Sequence, residues 1–384
     1  MPNTFENNLP RRTRFGRGVA SDLPGELARL GRAKPFIVTD AGVRAAGLLA
    51  QVTGALDGAG VSYFTFDQTE PEPPFSSVAS ATGSIRSAGF RADVVVALGG
   101  GSVIDTAKLV AATLLDGRDA RKLAGIGKVG SRGVPLVCLP TTSGTGSEAT
   151  PVAIFTDPET GNKMGVVDPC LVPDLVLLDP ALTDGLPPLP TAAAGMDALV
   201  HALEAFTAKV ATPLARGLAL EAARRLGPAL PAVCRDGRDR PARDAMLIGA
   251  NLAGLAFANS SCTGTHALAL PLGGRFHVVH GVATGCLVAE TTRHNLAACR
   301  ADVAVFAAAL GWPDDPDGFP DRLAALAGAI GLQKALSSTA VPEAAYAEMA
   351  KQAVANRRLM DPNPRPITEA DAADIYRRTL ARHA

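Results

Sequence analysis

The sequence predicts an α/β domain built on a mostly parallel sheet, then an all-helical domain, with the boundary near residue 185. Three observations carry this. Over the first half, short runs of β-branched and aromatic residues alternate with helix-length segments. After Asp179-Pro180 the alternation stops, and from about Pro187 nearly everything reads as Ala/Leu-rich helix. A chain of 384 residues, 47% of them apolar, is too long for one ordinary core and has apolar material for two.

Each element has its own signal. Pro35 to Asp40 is a short apolar run ending in a carboxylate, with helical patterns on both sides. Val61 to Asp67 reads as the next strand, followed by the turn-rich Glu70 to Pro74 and a helix near Ser76 to Ala88. Asp93 to Leu98, Leu136 to Leu139 and Leu175 to Leu178 are further buried strands. Strands separated by helix-length segments imply a sheet covered on both faces. In the second half, breaks are expected at Pro213, Pro228, Pro271 and the loop from Gly311 to Pro320.

Composition narrows the function classes. With 37 basic and 37 acidic residues and no long single-sign block, neither nucleic acid nor an anionic membrane is the expected partner. No run of about twenty apolar residues suits a membrane span, and the first residues lack the apolar core of a signal peptide. The six cysteines are scattered without any C-x-x-C and sit in apolar company, which reads as reduced thiols in the cytoplasm.

Two regions carry chemistry. Val94 to Leu98 runs into Gly99-Gly100-Gly101-Ser102 and then a helix, where glycine lets a pyrophosphate approach the first-turn N–H groups or simply permits a tight turn. The loop from Thr141 to Glu148 clusters hydroxyls and glycines after a strand, suiting phosphate and ribose or a helix cap. Asp40, at a strand end, suits either a ribose contact that favours NAD over NADP or a helix N-cap. In the second half, Asp197 and His201 lie four apart on one helix face, and His266 and His280 follow. The chain has only six histidines. One carboxylate and three imidazoles form an N/O set for a transition metal such as iron or zinc, although a helical Asp/His pair with core histidines gives the same letters.

Taken together, G-G-G-S-V-I-D-T-A-K, P-T-T-S-G-T-G-S-E, G-M-D-A-L-V-H-A-L-E and P-L-G-G-x-x-H-V-V-H-G-V-A resemble the iron-containing (group III) alcohol dehydrogenases. The ending N-R-R-L-M-D-P-N-P-R-P-I-T fits as well, so the likeness spans essentially the whole chain. The resemblance implies a Rossmann-like NAD-binding domain over residues 1–184 and a helical metal-binding and catalytic domain over 185–384. It places Asp197, His201, His266 and His280 on the metal ligands, with Fe²⁺ expected and Zn²⁺ as the alternative. It places Asp40, Gly100, Gly101, Ser102, Asp105, Thr141, Thr142, Thr145 and Lys163 on the NAD contacts. The implied substrate is a small alcohol, aldehyde or hydroxy acid, and the implied assembly is a homodimer or a higher homo-oligomer.

The sequence also departs from the family pattern. Many members carry a second histidine four residues after the third ligand, close to the nicotinamide. Here that position is Leu270, which cannot carry a proton, and His277 is the candidate substitute or else a loop histidine. Arg275 beside it is either a contact for an acidic substrate group or a solvated arginine. Maleylacetate reductases, hydroxyacid–oxoacid transhydrogenases and dehydroquinate synthase-like lyases share the architecture. The intact D-x-x-x-H and H-G-V-A elements favour the metal-dependent alcohol dehydrogenases over these, and over a nucleotide-binding module with a vestigial metal site.

Overall fold

The structure, a computed structural model, describes residues 4–159, 161–313 and 315–381. Its first elements are β1 (Arg12–Phe15), α1 (Leu23–Arg29), β2 (Pro35–Val38), α2 (Ala41–Ala45), α3 (Leu48–Gly58), β3 (Phe64–Phe66) and α4 (Ser76–Ser87). There follow β4 (Val94–Gly99), α5 (Gly101–Thr113), β5 (Gly125–Ile126), β6 (Leu136–Pro140), β7 (Val152–Thr156), β8 (Lys163–Val167) and β9 (Leu175–Leu178). Six of these strands form one parallel sheet in the order β1-β9-β6-β4-β2-β3, and β5-β8-β7 form a small second sheet. Residues Asn8–Thr142 and Ser147–Gly185 make up this compact unit.

Period-two alternation divides the large sheet between two cores. Val95 and Ala97 of β4, Phe36 and Val38 of β2, and Leu136 and Cys138 of β6 join α4 and α5 on one face. Their neighbours Val94, Val96, Leu98, Ile37, Val137 and Leu139 join α1 and α3 on the other. This is the sheet covered on both faces that the continuous apolar runs imply. The chain leaves β2 toward α3 on one face, and leaves β4 toward α5 on the other. β2 and β4 are neighbours, so the gap between their C-terminal ends is the topological switch point, where open α/β sheets bind ligands.

The other unit comprises Ser143–Gly146 and the described residues from Leu186 onward, with the described residues that precede Asn8. It is helical: α6 (Pro188–Thr207), α7 (Pro213–Arg235), α8 (Arg240–Ala258), α9 (Gly264–Phe276) and α10 (His280–Ala309) come first. Then follow α11 (Phe319–Ala329), α12 (Leu332–Ser337), α13 (Tyr346–Ala355), α14 (Arg357–Met360) and α15 (Glu369–Ala381). The α/β-then-helical fold class expected from the sequence is the one observed. α6 packs against α7, α8 and α10 and is buried almost all round, which is why its sequence is apolar on every face.

Several elements differ from expectation. Pro228 lies inside α7 and Pro271 inside α9, and neither ends its helix. Gly227 precedes Pro228 and has no Cβ to clash with the proline ring. Around Pro271, the fully buried Leu268 and Leu272 hold the helix by packing that outweighs propensity. The strand expected at Val61 to Asp67 is only Phe64–Phe66, with Val61 and Tyr63 packed against the α1/α3 core instead. β1 and the antiparallel hairpin of β7 and β8 are additional strands. No helix among the described residues is long and apolar enough to cross a membrane.

Candidate functional site

The helical unit gathers Asp197, His201, His266 and His280. Asp197 and His201 come from one face of α6, His266 from the first turn of α9, and His280 opens α10. The Asp197 carboxylate is 98% buried and sits at the centre. Its Oδ1 is 3.6 Å from His266 Nε2 and 3.7 Å from His280 Nε2, and its Oδ2 is 3.8 Å from His201 Nδ1. Ligand atoms bound about 2.1 Å from one tetrahedral ion lie roughly 3.4 Å apart, so the separations of His266 and His280 from Asp197 Oδ1 suit a shared metal, with His201 facing the other carboxylate oxygen. His201 Nδ1 and His266 Nε2 are buried and have no hydrogen-bond partner, an arrangement that costs about 1–3 kcal/mol per group unless another species satisfies it. The donor set and the orphaned nitrogens therefore both fit a divalent ion.

The backbone brings the ligands together by close contact. A Cβ on Gly281 would lie 2.2 Å from the Ala193 carbonyl oxygen, so only glycine lets the start of α10 press His280 this near to α6. Thr284, one turn on, donates its Oγ1 hydrogen bond to Asp197 Oδ1 at 2.9 Å. The His201 ring stacks on Phe257 and on His266, with centroids 4.4 and 4.5 Å away.

Glu204 was not among the residues singled out from the sequence, yet it organises the cluster. It follows Asp197 and His201 at positions 7 and 3 along the same helix face. Its carboxylate accepts from Thr263 N at 2.8 Å, Thr263 Oγ1 at 2.9 Å and Thr265 N at 2.7 Å. It thus caps the start of α9, whose N-cap Thr263 makes no side-chain cap of its own. Glu204 Oε2 also accepts from His266 Nδ1 at 2.5 Å. Since an ionised carboxylate only accepts, Nδ1 carries a proton, and with a metal bound the Nε2 lone pair would be left for the ion. Gly264 N, another donor of that turn, bonds to Asn363 Oδ1 at 3.1 Å. Asn363 is fully buried and belongs to the D-P-N-P-R-P-I-T ending, which gives that motif a structural role.

Electrostatics follow the geometry. Burial pushes the Asp197 carboxyl up, but His201, His280 and His266 outweigh it and hold it well below the usual carboxylate range. Burial likewise opposes ionisation of Glu204, and the charge and hydrogen bond of His266 bring it down to about 2. Against a desolvation that lowers it, His266 is held well above the ordinary imidazole value by Cys262, Glu204 and Asp197. For the Cys262 thiol, burial is the largest influence and raises it, yet His266 and His201 together bring it down to about 7.

The other two histidine-loop candidates stand apart. His277 is exposed and ends α9 in the left-handed region, with φ of 55°, and its ring joins neither cluster of metal-type donors. Arg275 is also exposed, its guanidinium 6.0 Å from the Phe276 ring. Leu270 is half-buried against the helical core.

In the α/β unit, Asp40 follows β2 and Gly100-Gly101-Ser102 follow β4, so both flank the switch point. Asp40 Oδ1 caps α2 by accepting from Val43 N at 2.8 Å. Thr141 and Thr142 follow β6, the next strand, and Thr141 N donates to Gly99 O at 3.1 Å. A Cβ on Gly100 would lie 3.2 Å from Thr142 Cγ2, so glycine keeps the two loops in close register. Ser102 Oγ accepts from Glu72 N at 3.1 Å, and Glu72 pairs with Lys163 at 2.8 Å. Glu72, which the sequence reading passed over, joins these two residues from a strained backbone with φ of 49°. Both oxygens of Asp105 are engaged internally, one by Ser147 Oγ and the other by Ile154 N at 2.8 Å. Lys108, fully buried one turn on, bonds to Ser147, Thr150 and Val152, and burial lowers its ammonium below the usual lysine range. Thr145 lies in the short loop that groups with the helical unit.

Comparison with known proteins decides the family. Residues 10–180 match the model for iron-containing alcohol dehydrogenase, and residues 191–380 match that for the Fe-containing alcohol dehydrogenase family, C-terminal. The chain belongs to the iron-containing alcohol dehydrogenase family. It is 35% identical to long-chain-alcohol dehydrogenase 1 of Geobacillus thermodenitrificans (strain NG80-2), over 97% of this chain and 96% of that one. Among solved structures, it superposes on a 1,3-propanediol oxidoreductase with a TM-score of 0.92 at 31% identity, covering 98% and 100% of the two chains. A sulfoacetaldehyde reductase from Bifidobacterium kashiwanohense in complex with NAD⁺ gives 0.90 at 29% identity, covering 99% and 100%. The family's iron and oxidoreductase chemistry are those expected from the sequence motifs.

Proposed function

We propose that this chain is an NAD-linked, iron-dependent alcohol dehydrogenase or aldehyde reductase acting on a small alcohol, aldehyde or hydroxy acid. The observation that carries the reading is the buried Asp197 carboxylate ringed by three imidazoles, two with orphaned nitrogens. Asp197, His201, His266 and His280 hold the ion, and residues 185–384 form the metal-binding, catalytic domain. Residues 1–184 form the NAD-binding domain. Its switch point supports Asp40, Gly100, Gly101, Ser102, Thr141 and Thr142 as cofactor contacts, with Lys163 beside them and Thr145 from the following loop. Asp105, with both oxygens engaged, acts as a positioning residue that anchors α5.

When bound, the iron supplies Lewis acidity toward the substrate oxygen and the nicotinamide supplies the hydride acceptor or donor. This chain's residues do the rest. Thr284 fixes one Asp197 oxygen, Glu204 fixes the His266 tautomer, and the apolar walls of α6 and α9 keep water from the buried donors. Proton exchange falls to His277, whose exposure gives it contact with bulk water and whose position is three residues before His280. His277→Gln is expected to lower kcat by about tenfold and to flatten its pH profile without changing metal content. An unchanged profile assigns the proton to solvent instead.

The free state of all six cysteines supports a cytoplasmic setting, and the open outer edge of β1, with Phe15 partly exposed, supports a homo-oligomer. The direct test strips the metal, restores Fe²⁺ or Zn²⁺ anaerobically, and follows NADH on short alcohols, diols and hydroxy acids. Activity returning with Fe²⁺ is the expected result. No turnover on any of them, with NAD and metal both bound, contradicts the reading.

A further inference from the structure

The four proposed ligands do not exhaust the donors at this centre. Cys262, in the loop before α9, is more than nine-tenths buried. Its sulfur and one ring nitrogen each of His201 and His266 all lie within 4.8 Å of one another. A second donor cluster, Asp197, His266 and His280, meets the same limit and shares His266 with the first. His201 and His266 are each more than nine-tenths buried, and each carries a ring nitrogen without a hydrogen-bond partner. The helical unit therefore holds two overlapping donor sets of different chemistry, one with a carboxylate oxygen and one with a sulfur.

We propose that Cys262, His201 and His266 form a sulfur-bearing site that takes a thiophilic divalent ion such as Zn²⁺, in competition with the oxygen-and-nitrogen site of Asp197, His201, His266 and His280. The proposal rests on the metal-centre reading above. Donor atoms around a zinc ion with sulfur and nitrogen ligands lie roughly 3.3–3.8 Å apart, so small side-chain shifts bring this triad to bonding distance. Thiolate is the softer donor and selects zinc, cobalt or cadmium, whereas carboxylate with imidazole suits iron. Because the two sets share imidazoles, one ion excludes the other. On binding, the Cys262 thiol loses its proton to solvent and no electron is transferred.

The test loads the metal-free full-length protein with Co²⁺, whose thiolate complexes show a sulfur-to-metal charge-transfer band in the near ultraviolet. Visible d–d bands report Co²⁺ uptake separately. The expected result is a near-ultraviolet band in the wild type, retained in His280→Ala and lost in both Cys262→Ser and Cys262→Ala. Bound Co²⁺ without the near-ultraviolet band, or a band that survives Cys262→Ala, overturns the sulfur site and leaves the metal centre standing. No Co²⁺ uptake at all overturns both.

Discussion

Asp197→Ala is expected to purify without bound iron and to lose at least roughly a thousandfold in kcat/KM, about 4 kcal/mol of transition-state stabilisation. The reason is central placement. Asp197 is the only carboxylate among the four proposed ligands, and its two oxygens face all three imidazoles at 3.6–3.8 Å. Removing it leaves an ion three neutral nitrogens and no charge to offset its own in a buried site. His266→Ala should behave alike, because His266 is common to both donor clusters. The measurement pairs metal content per chain with NADH formation at saturating alcohol. A metal-depleted variant that keeps full activity would falsify the assignment. Circular dichroism separates this outcome from misfolding, since Thr284 Oγ1 still has the His280 carbonyl at 3.2 Å once Asp197 is gone.

The gathering of Asp197, His201, His266 and His280 was legible in the sequence because histidine is scarce here and because Asp197 and His201 fall one helical turn apart in an apolar run. The parallel sheet was legible because β2, β4, β6 and β9 are continuous apolar runs buried on both faces. What stayed hidden has physical reasons. β1 reads Arg-Thr-Arg-Phe, an edge strand whose half-buried positions are arginines paired with Glu26, so no apolar run announces it. The β7–β8 hairpin did carry a signal, the turn-rich segment from Asp157 to Asn162 between two β-branched runs, but Gly165 weakens its second strand. Cys262 could not be placed near the centre by spacing, because the loop before α9 has no period to read. Glu204 was readable in principle. Positions 0, 4 and 7 of one helix share a face, and a third polar residue on a face already holding two proposed ligands points to the same centre.

Glu204→Ala should be the most destabilising single change in the helical unit, at about 3–5 kcal/mol, because it strips the partner from a buried charged imidazole and uncaps α9 in one step. Metal affinity should fall roughly 10–100-fold, since His266 loses the acceptor that fixes its tautomer. Glu204→Gln separates the two effects. Its amide oxygen can still accept from Thr263 N and Thr265 N, so most of the cap survives, while the charge opposite His266 is gone. The metal-free wild type should show the same pair in its pH dependence. Glu204 is depressed to about 2 from an ordinary 4.5, so its contribution is complete above about pH 4.5 and is lost as the pH falls toward 2. His266 is raised, so its contribution is complete below about pH 6.5 and is lost as the pH climbs through its folded value. The pair therefore stabilises the metal-free protein most between about pH 4.5 and 6.5, and Glu204→Gln should flatten that maximum. Urea unfolding of both proteins from pH 3 to pH 9 reads it directly, and superimposable profiles would show that Glu204 and His266 are not coupled.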